Sequence, residues 1–314
     1  MSFWYFVLNL GILWQLVSVP GVVLTTIDFD SELNRISYLD QELVNPVAPQ
    51  KIINDSLGVK LSASSALSMD WETGSVLWQK EADQKQSIAS LTKLMTALVW
   101  LDFNPGWDKV VTIRESDYRE GGRFYLFKGE QLTTQDLFRS TLIVSDNNAA
   151  VALARSTDLF LEDFVLKMNE KARQLDMMST VFIEPTGLHA GNVSTINDVA
   201  KLVQAAFVDP DIRAVVGTQE AGYNIINTGR FNRLVSTNQL FGSFINVLAG
   251  KTGYSDEAGG CLAVLGEGEQ GQKVLAIVLG SDDHYSRFND VKALLQWTYN
   301  NFNWPEKIIE EEYE

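Results

Sequence analysis

The sequence predicts an α+β fold in which an antiparallel sheet is assembled from both ends of the chain and a helical subdomain is inserted between its halves. Three observations carry this. Two short strand pairs, one early and one late, are each joined by a glycine-containing turn. Between them lies a long stretch with apolar residues three and four apart, the period of amphipathic helices. One more segment of that period closes the chain, and the order strands, helices, strands, helix is that of an α+β domain.

Taken in order, residues from Phe3 to Leu24 are almost continuously apolar, and this length approaches the roughly 20 residues that cross a bilayer. No Lys or Arg precedes Arg35, and Ser18-Val19-Pro20-Gly21 is a poor cleavage site, so residues 1–26 are expected to be a retained anchor or uncleaved signal. Residues 27–56 are polar and acidic with Pro46 and Pro49, as expected of a linker. The folded domain is expected over 57–302, followed by an acidic tail over 303–314.

Within the domain, 66–69 and 75–78 read as strands around the turn Trp71-Glu72-Thr73-Gly74. Helical spacing follows over 90–103, where Leu91, Leu94, Met95, Leu98 and Leu101 share one side. Further helices are predicted over 134–144, 146–155, 161–175 and 196–207. Apolar runs at 261–265 and 274–279, split by Gly266-Glu267-Gly268, predict the second hairpin, and 288–302 the closing helix.

Composition excludes several function classes. The 314 residues carry 25 Lys+Arg against 40 Asp+Glu, and a net charge of -15 without any basic run repels nucleic acid. The single Cys261 permits no intrachain disulfide and reads as a small buried hydrophobe. With only His189 and His284 and no G-x-S-x-G elbow, a Ser-His-Asp hydrolase is disfavoured. No zinc-peptidase motif is present, and Asp282-Asp283-His284 reads as a loop entering a helix, so neither metal nor cofactor is expected.

A serine can be activated without histidine when a lysine with suppressed charge lies one helical turn away. Ser90-Leu91-Thr92-Lys93 has that spacing, because positions i and i+3 share a helix face. Alone the pattern is weak, being expected about once by chance in a chain of this size. Two other fragments raise its weight. Ser145-Asp146-Asn147, at the start of a predicted helix, sets a hydroxyl and an amide where they could meet Lys93. By itself it could be a helix cap, and Ser236-Thr237-Asn238 shows how easily such a triplet arises. Lys251-Thr252-Gly253, just before the late hairpin, supplies a cation and a hydroxyl beside a residue with no side chain.

These three fragments match the motifs of penicillin-binding proteins and serine β-lactamases. The text around Ser90, the block Phe182-Ile183-Glu184-Pro185-Thr186-Gly187-Leu188, Ser194-Thr195-Ile196-Asn197-Asp198 and Ala258-Gly259-Gly260-Cys261-Leu262 resembles the low-molecular-mass D-alanyl-D-alanine carboxypeptidases over roughly residues 60–302. The resemblance implies a β-lactamase/transpeptidase-like α/β sandwich, with an antiparallel sheet of about five strands flanked by helices. It implies that Ser90 attacks the penultimate D-alanine carbonyl and that Lys93 accepts its proton. The N–H groups of Ser90 and Tyr254 would form the oxyanion hole, with Gly253 beside it. Ser145 and Lys251 would pass a proton to the leaving D-alanine, and Asn147 would orient the substrate amide. Thr252, helped by Arg287, would hold the terminal carboxylate. A base must be neutral, so Lys93 is expected to have a pKa lowered by burial and by the charge of Lys251.

The implied partners are peptidoglycan stem peptides ending in D-Ala-D-Ala, β-lactams as covalent inhibitors, and the membrane through the N-terminal segment. Nucleic acid is not among them. Localisation is expected outside the cytoplasmic membrane. The main reading is a carboxypeptidase; a cross-link-cleaving endopeptidase shares every motif, and a β-lactamase or an inactive wall-peptide binder follows behind. The aspartate of Ser145-Asp146-Asn147 and Glu184-Pro185 are features shared with class A β-lactamases, but Glu184 lies where these carboxypeptidases commonly carry asparagine and is not expected to act as a base. The C-terminal sandwich domain of many relatives is not expected in the residues after Phe302.

Overall fold

The computed structural model describes residues 47–122 and 125–305. The anchor expected over 1–26, most of the linker and most of the acidic tail lie outside the described residues. The end of that linker enters the folded unit, where Gln50–Lys51 pair with Phe302–Asn303.

A five-stranded antiparallel sheet organises the α+β fold. Its strands are β1 (Ser65–Asp70), β2 (Val76–Lys80), β3 (Asn246–Ser255), β4 (Gly259–Glu267) and β5 (Lys273–Ser281), in the order β3-β4-β5-β1-β2. Early strand β1 therefore pairs with late strand β5, from Ala66 opposite Val278 to Asp70 opposite Val274. The two predicted hairpins, β1–β2 and β4–β5, lie side by side, as their separation in sequence implied. Residues 81–245, with six of the seven α-helices among the described residues, are the insertion.

The sheet is buried on both faces, and the period of two assigns its residues to them. On one face Val274, Ala276 and Val278 of β5 join Leu262 and Val264 of β4. Helix α7 (Ser286–Asn301) covers this face with Phe288, Val291, Leu294 and Leu295. On the other face Leu275, Ile277 and Leu279 join the main core with Leu67 and Ala263. That core holds α1 (Thr92–Asp102), whose residues from Thr92 to Trp100 are all buried. Such a helix is held by packing all round, with no solvated stripe.

Around α1 lie α2 (Thr134–Ile143), α3 (Asn147–Arg155), α4 (Leu161–Gln174), α5 (Ile196–Val208) and α6 (Pro210–Val216). Their starts follow local chemistry. Thr133, Asp146 and Thr195 accept the N–H of Asp136, Ala149 and Asp198 at the starts of α2, α3 and α5. Asp209 caps α6 ahead of Pro210, whose missing N–H costs nothing at the first helical position.

Three elements differ from the sequence-based expectation. Lys251-Thr252-Gly253 stand ahead of the late hairpin as expected, but they lie within a strand of their own, edge strand β3; Gly250, Lys251 and Gly253 break the apolar pattern that marks a strand. Helix α6 is one short unit after Pro210 and offers little periodicity. A hairpin of Glu220–Asn224 with Phe231–Val235 has one wet face and was not anticipated. No helix among the described residues is long and apolar enough to cross a membrane.

Candidate active site

Ser90 is in a single 3-10 turn, Ala89–Leu91, that feeds α1. Ala89 just before it has φ +44°, and Ser145 has φ +61°. Both are left-handed conformations that cost of order 1–3 kcal/mol in a residue with a side chain, and the surrounding packing holds them. The two hydroxyls face one cleft of about 510 Å³, also lined by Asn147, Thr252, Tyr254 and Arg287.

Lys93 lies beneath Ser90, completely buried. Its ammonium donates to Ser90 Oγ at 2.9 Å, to Asn147 Oδ1 at 2.6 Å and to the Thr186 carbonyl at 2.7 Å. Burial lowers its pKa to about 8, opposed by the carboxylates of Glu184 and Asp146. The expected direction is present, with burial its largest cause. Lys251 is held well below the ordinary lysine range by burial first, then by Lys93 and Arg287.

Lys251 Nζ donates to Ser145 Oγ at 2.8 Å and to the Thr252 carbonyl at 2.9 Å. Each lysine is thus aimed at one serine. Asn147, whose side-chain oxygen meets Lys93, donates through its amide nitrogen to the Gly121 carbonyl at 3.0 Å. Asp146 caps α3 from an almost fully buried position, and desolvation raises its carboxyl to about 6.

Strand β3 closes the opposite side. A Cβ at Gly253 would lie 3.0 Å from Ser90 N and 3.2 Å from the Ile88 carbonyl, so only glycine lets the strand pass this close to the nucleophile turn. Thr252 Oγ1 and Thr237 Oγ1 share a hydrogen bond of 2.6 Å. Arg287, 2% exposed, donates to the Gly253 carbonyl and to His284 Nε2 at 3.0 Å. Desolvation lowers its pKa to about 10. Three buried cationic side chains around two hydroxyls make a cleft suited to a peptide carboxylate.

All nine residues singled out from the sequence converge here. Others in the site went unrecognised. Thr237 belongs to the triplet that served as an example of a chance match. Thr186 contributes a backbone carbonyl, which no residue type announces. His284 packs its ring against Tyr254 with centroids 5.6 Å apart. Its neighbour Asp283 accepts from the Tyr285 and Ser286 N–H groups at the entry to α7, as expected of that loop. Cys261 is fully buried in β4, its thiol pushed up to about 11.

Among known proteins, a family model described as D-alanyl-D-alanine carboxypeptidase matches residues 50–283. The D-alanyl-D-alanine carboxypeptidase DacF of Bacillus subtilis is 32% identical over 246 residues, which are 76% of this chain and 63% of that protein. The D-alanyl-D-alanine endopeptidase of Pseudomonas aeruginosa is 35% identical over 241 residues, 76% of this chain and 77% of that protein. The crystal structure of penicillin-binding protein D2 from Listeria monocytogenes, in its cefotaxime-bound form, aligns with a TM-score of 0.68 at 30% identity. That alignment covers 78% of this chain and 100% of the other.

Proposed function

This chain belongs to the D-alanyl-D-alanine carboxypeptidase family, and from that premise we propose that it removes the terminal D-alanine of peptidoglycan stem peptides through an acyl-enzyme on Ser90. The observation that carries the assignment of roles is the 2.9 Å hydrogen bond between Ser90 Oγ and a fully buried Lys93.

In this reading neutral Lys93 takes the Ser90 proton as Oγ bonds to the penultimate D-alanine carbonyl carbon. Asn147 and Thr186 hold the amine in place. The charge developing on the carbonyl oxygen meets the N–H groups of Ser90 and Tyr254. Ser145, supplied by Lys251, gives a proton to the departing amine. Arg287 and Thr252 hold the terminal carboxylate. Water then adds to the ester carbonyl, its proton passing through Ser145 to the neutral Lys251, while Lys93 returns its proton to Ser90 as the ester bond breaks.

The enzyme works outside the cytoplasmic membrane, where its substrate lies. The apolar run from Phe3 to Leu24 would tether it there with the catalytic domain outward. Fractionation of the full chain and of a chain lacking residues 1–26 tests the tether; equal release into the soluble fraction counts against it. The cefotaxime-bound relative supports β-lactams as covalent inhibitors.

Cross-link cleavage is the second reading, favoured by the 35% identity to a protein named an endopeptidase. Incubation with a D-Ala-D-Ala pentapeptide, a cross-linked dimer and a β-lactam separates the two. Free D-alanine and a mass adduct on Ser90 are expected. Dimer cleavage without D-alanine release would move the assignment to the endopeptidase, and absence of adduct and of both products would overturn it.

A further inference from the structure

We propose that Glu184 is a positioning residue for the base Lys93, its carboxylate folding the turn after Pro185 so that one backbone carbonyl meets Lys93 and the next residue abuts the Ser90 turn. The inference rests on the Ser90–Lys93 chemistry proposed above.

The carboxylate accepts on both oxygens. Oε2 takes the Thr186 N–H at 2.7 Å and the Thr186 hydroxyl at 2.6 Å. Oε1 takes the Gly187 N–H at 2.6 Å, the Asn192 amide at 3.1 Å and the His189 N–H at 3.4 Å. A carboxylate is the only ionised side chain that accepts without donating, and bonds to its charge are stronger than neutral ones. An amide in the same place would turn an NH₂ towards one group of these donors.

The turn so gathered is anchored underneath. Asn192 is fully buried and donates to Thr92 Oγ1 at 3.2 Å while accepting the Ile183 N–H at 2.7 Å. Thr96 Oγ1 donates to the Pro185 carbonyl at 2.6 Å. Both threonines belong to α1, the helix that carries Lys93.

Two contacts reach the reacting pair. The Thr186 carbonyl accepts from Lys93 Nζ at 2.7 Å. Gly187, at φ +84°, presses so closely on the nucleophile turn that a Cβ there would lie 1.9 Å from the Ala89 carbonyl oxygen and 2.9 Å from Ser90 N. One carboxylate therefore sets the backbone on which both Ser90 and Lys93 rest.

Its charge also acts on Lys93. The charged groups facing that amine are Glu184 from this turn, Asp146 at the start of α3 and Lys251 on β3. Glu184 is the larger of the two influences opposing burial, so its loss lowers the pKa of Lys93 further. A weaker base is neutral at lower pH but takes a proton less readily.

The test measures acylation by a β-lactam and D-alanine release from a pentapeptide, across pH, for the full-length protein and for Glu184→Gln and Glu184→Asp, with thermal melting of each. For Glu184→Gln the alkaline plateau should fall about 10–100-fold with KM changed less than about threefold, and the Lys93 limb should move to lower pH. Glu184→Asp, which keeps the charge, should hold the limb in place while losing plateau rate. A Glu184→Gln profile that superimposes on wild type overturns the proposal. Should that variant not fold, a wild-type plateau in Glu184→Asp overturns it equally. A wild-type protein that forms no adduct and releases no product defeats the peptidase reading itself, a different outcome.

Discussion

Lys251 donates to Ser145 Oγ at 2.8 Å across 106 residues of chain, tying edge strand β3 to the turn between α2 and α3. The bond joins the sheet to the inserted helices across the cleft. It also sets the two residues to act as a unit. Ser145→Ala and Lys251→Ala should each lower kcat about 10²–10⁴-fold, the span of a proton-transfer catalyst. The double variant should be worse than the poorer single by less than about threefold. Steady-state kinetics on the pentapeptide decide it; independent, multiplying losses would show that the two do not share a step.

The pH dependence follows from Lys93. Its pKa lies near 8, and only the neutral amine accepts a proton, so acylation should fall about tenfold for each pH unit below that value. Stability has its own sign. The folded pKa lies below the unfolded value of 10.5, so the folded state binds fewer protons between about 8 and 10.5. The penalty is whole below about pH 8 and is relieved as pH rises through that window. Stopped-flow acylation with a chromogenic β-lactam measures the first, and urea unfolding at several pH values the second.

Asp146 makes the opposite case. Its carboxyl is raised to about 6 by desolvation, so the folded state binds more protons than the unfolded one between the ordinary value of 3.8 and 6. Stability from this group falls as pH rises through that window, and at neutral pH the cost is of order 3 kcal/mol. Asp146→Asn keeps a side-chain oxygen for the Ala149 N–H and removes the buried charge. It should raise stability by about 1–2 kcal/mol at neutral pH and less under acid conditions. Denaturant titrations at both pH values check it. A variant equally or less stable at neutral pH contradicts it.

Two glycines should fail differently. Gly253→Ala places a methyl 3.0 Å from Ser90 N, so the N–H must shift by a few tenths of an ångström while the fold survives. Loss of about 10²–10³ in acylation is expected, the value of an oxyanion donor. Gly187→Ala meets the Ala89 carbonyl at 1.9 Å in a left-handed conformation, and should cost more than about 3 kcal/mol of stability. Melting temperature and acylation rate, measured together, separate the two.

Substitution of Arg287 by Gln should raise KM for a pentapeptide by about 10–100-fold, the loss of one charge-assisted contact. A substrate amidated at its C-terminus should be affected far less. Equal effects on both would place the terminal carboxylate elsewhere.

What the sequence by itself determined is most of what is local; the hairpin over 220–235 and the short α6 escaped it. The strands of β1–β2 and β4–β5 and most of the helices announce themselves through periods of 2 and 3.6, since each residue's face depends only on its neighbours along the chain. Ser90 and Lys93 are visible for the same reason, being one helical turn apart. The order of the fragments around Ser145, Asn147 and Lys251 then made a chance match into a specific one. Tertiary structure decided what depends on distant chain. Strand β3 became legible only when paired with β4, because Gly250 and Gly253 remove the apolar rhythm a strand would show. The bond from Lys93 to Thr186 is made to a carbonyl, which every residue possesses and no sequence marks. The lowered pKa of Lys93 comes from complete burial, a property conferred by the helices and turns packed around it. The residue types for the chemistry are written along the chain; the desolvation that makes a lysine a base exists only once the chain has folded over it.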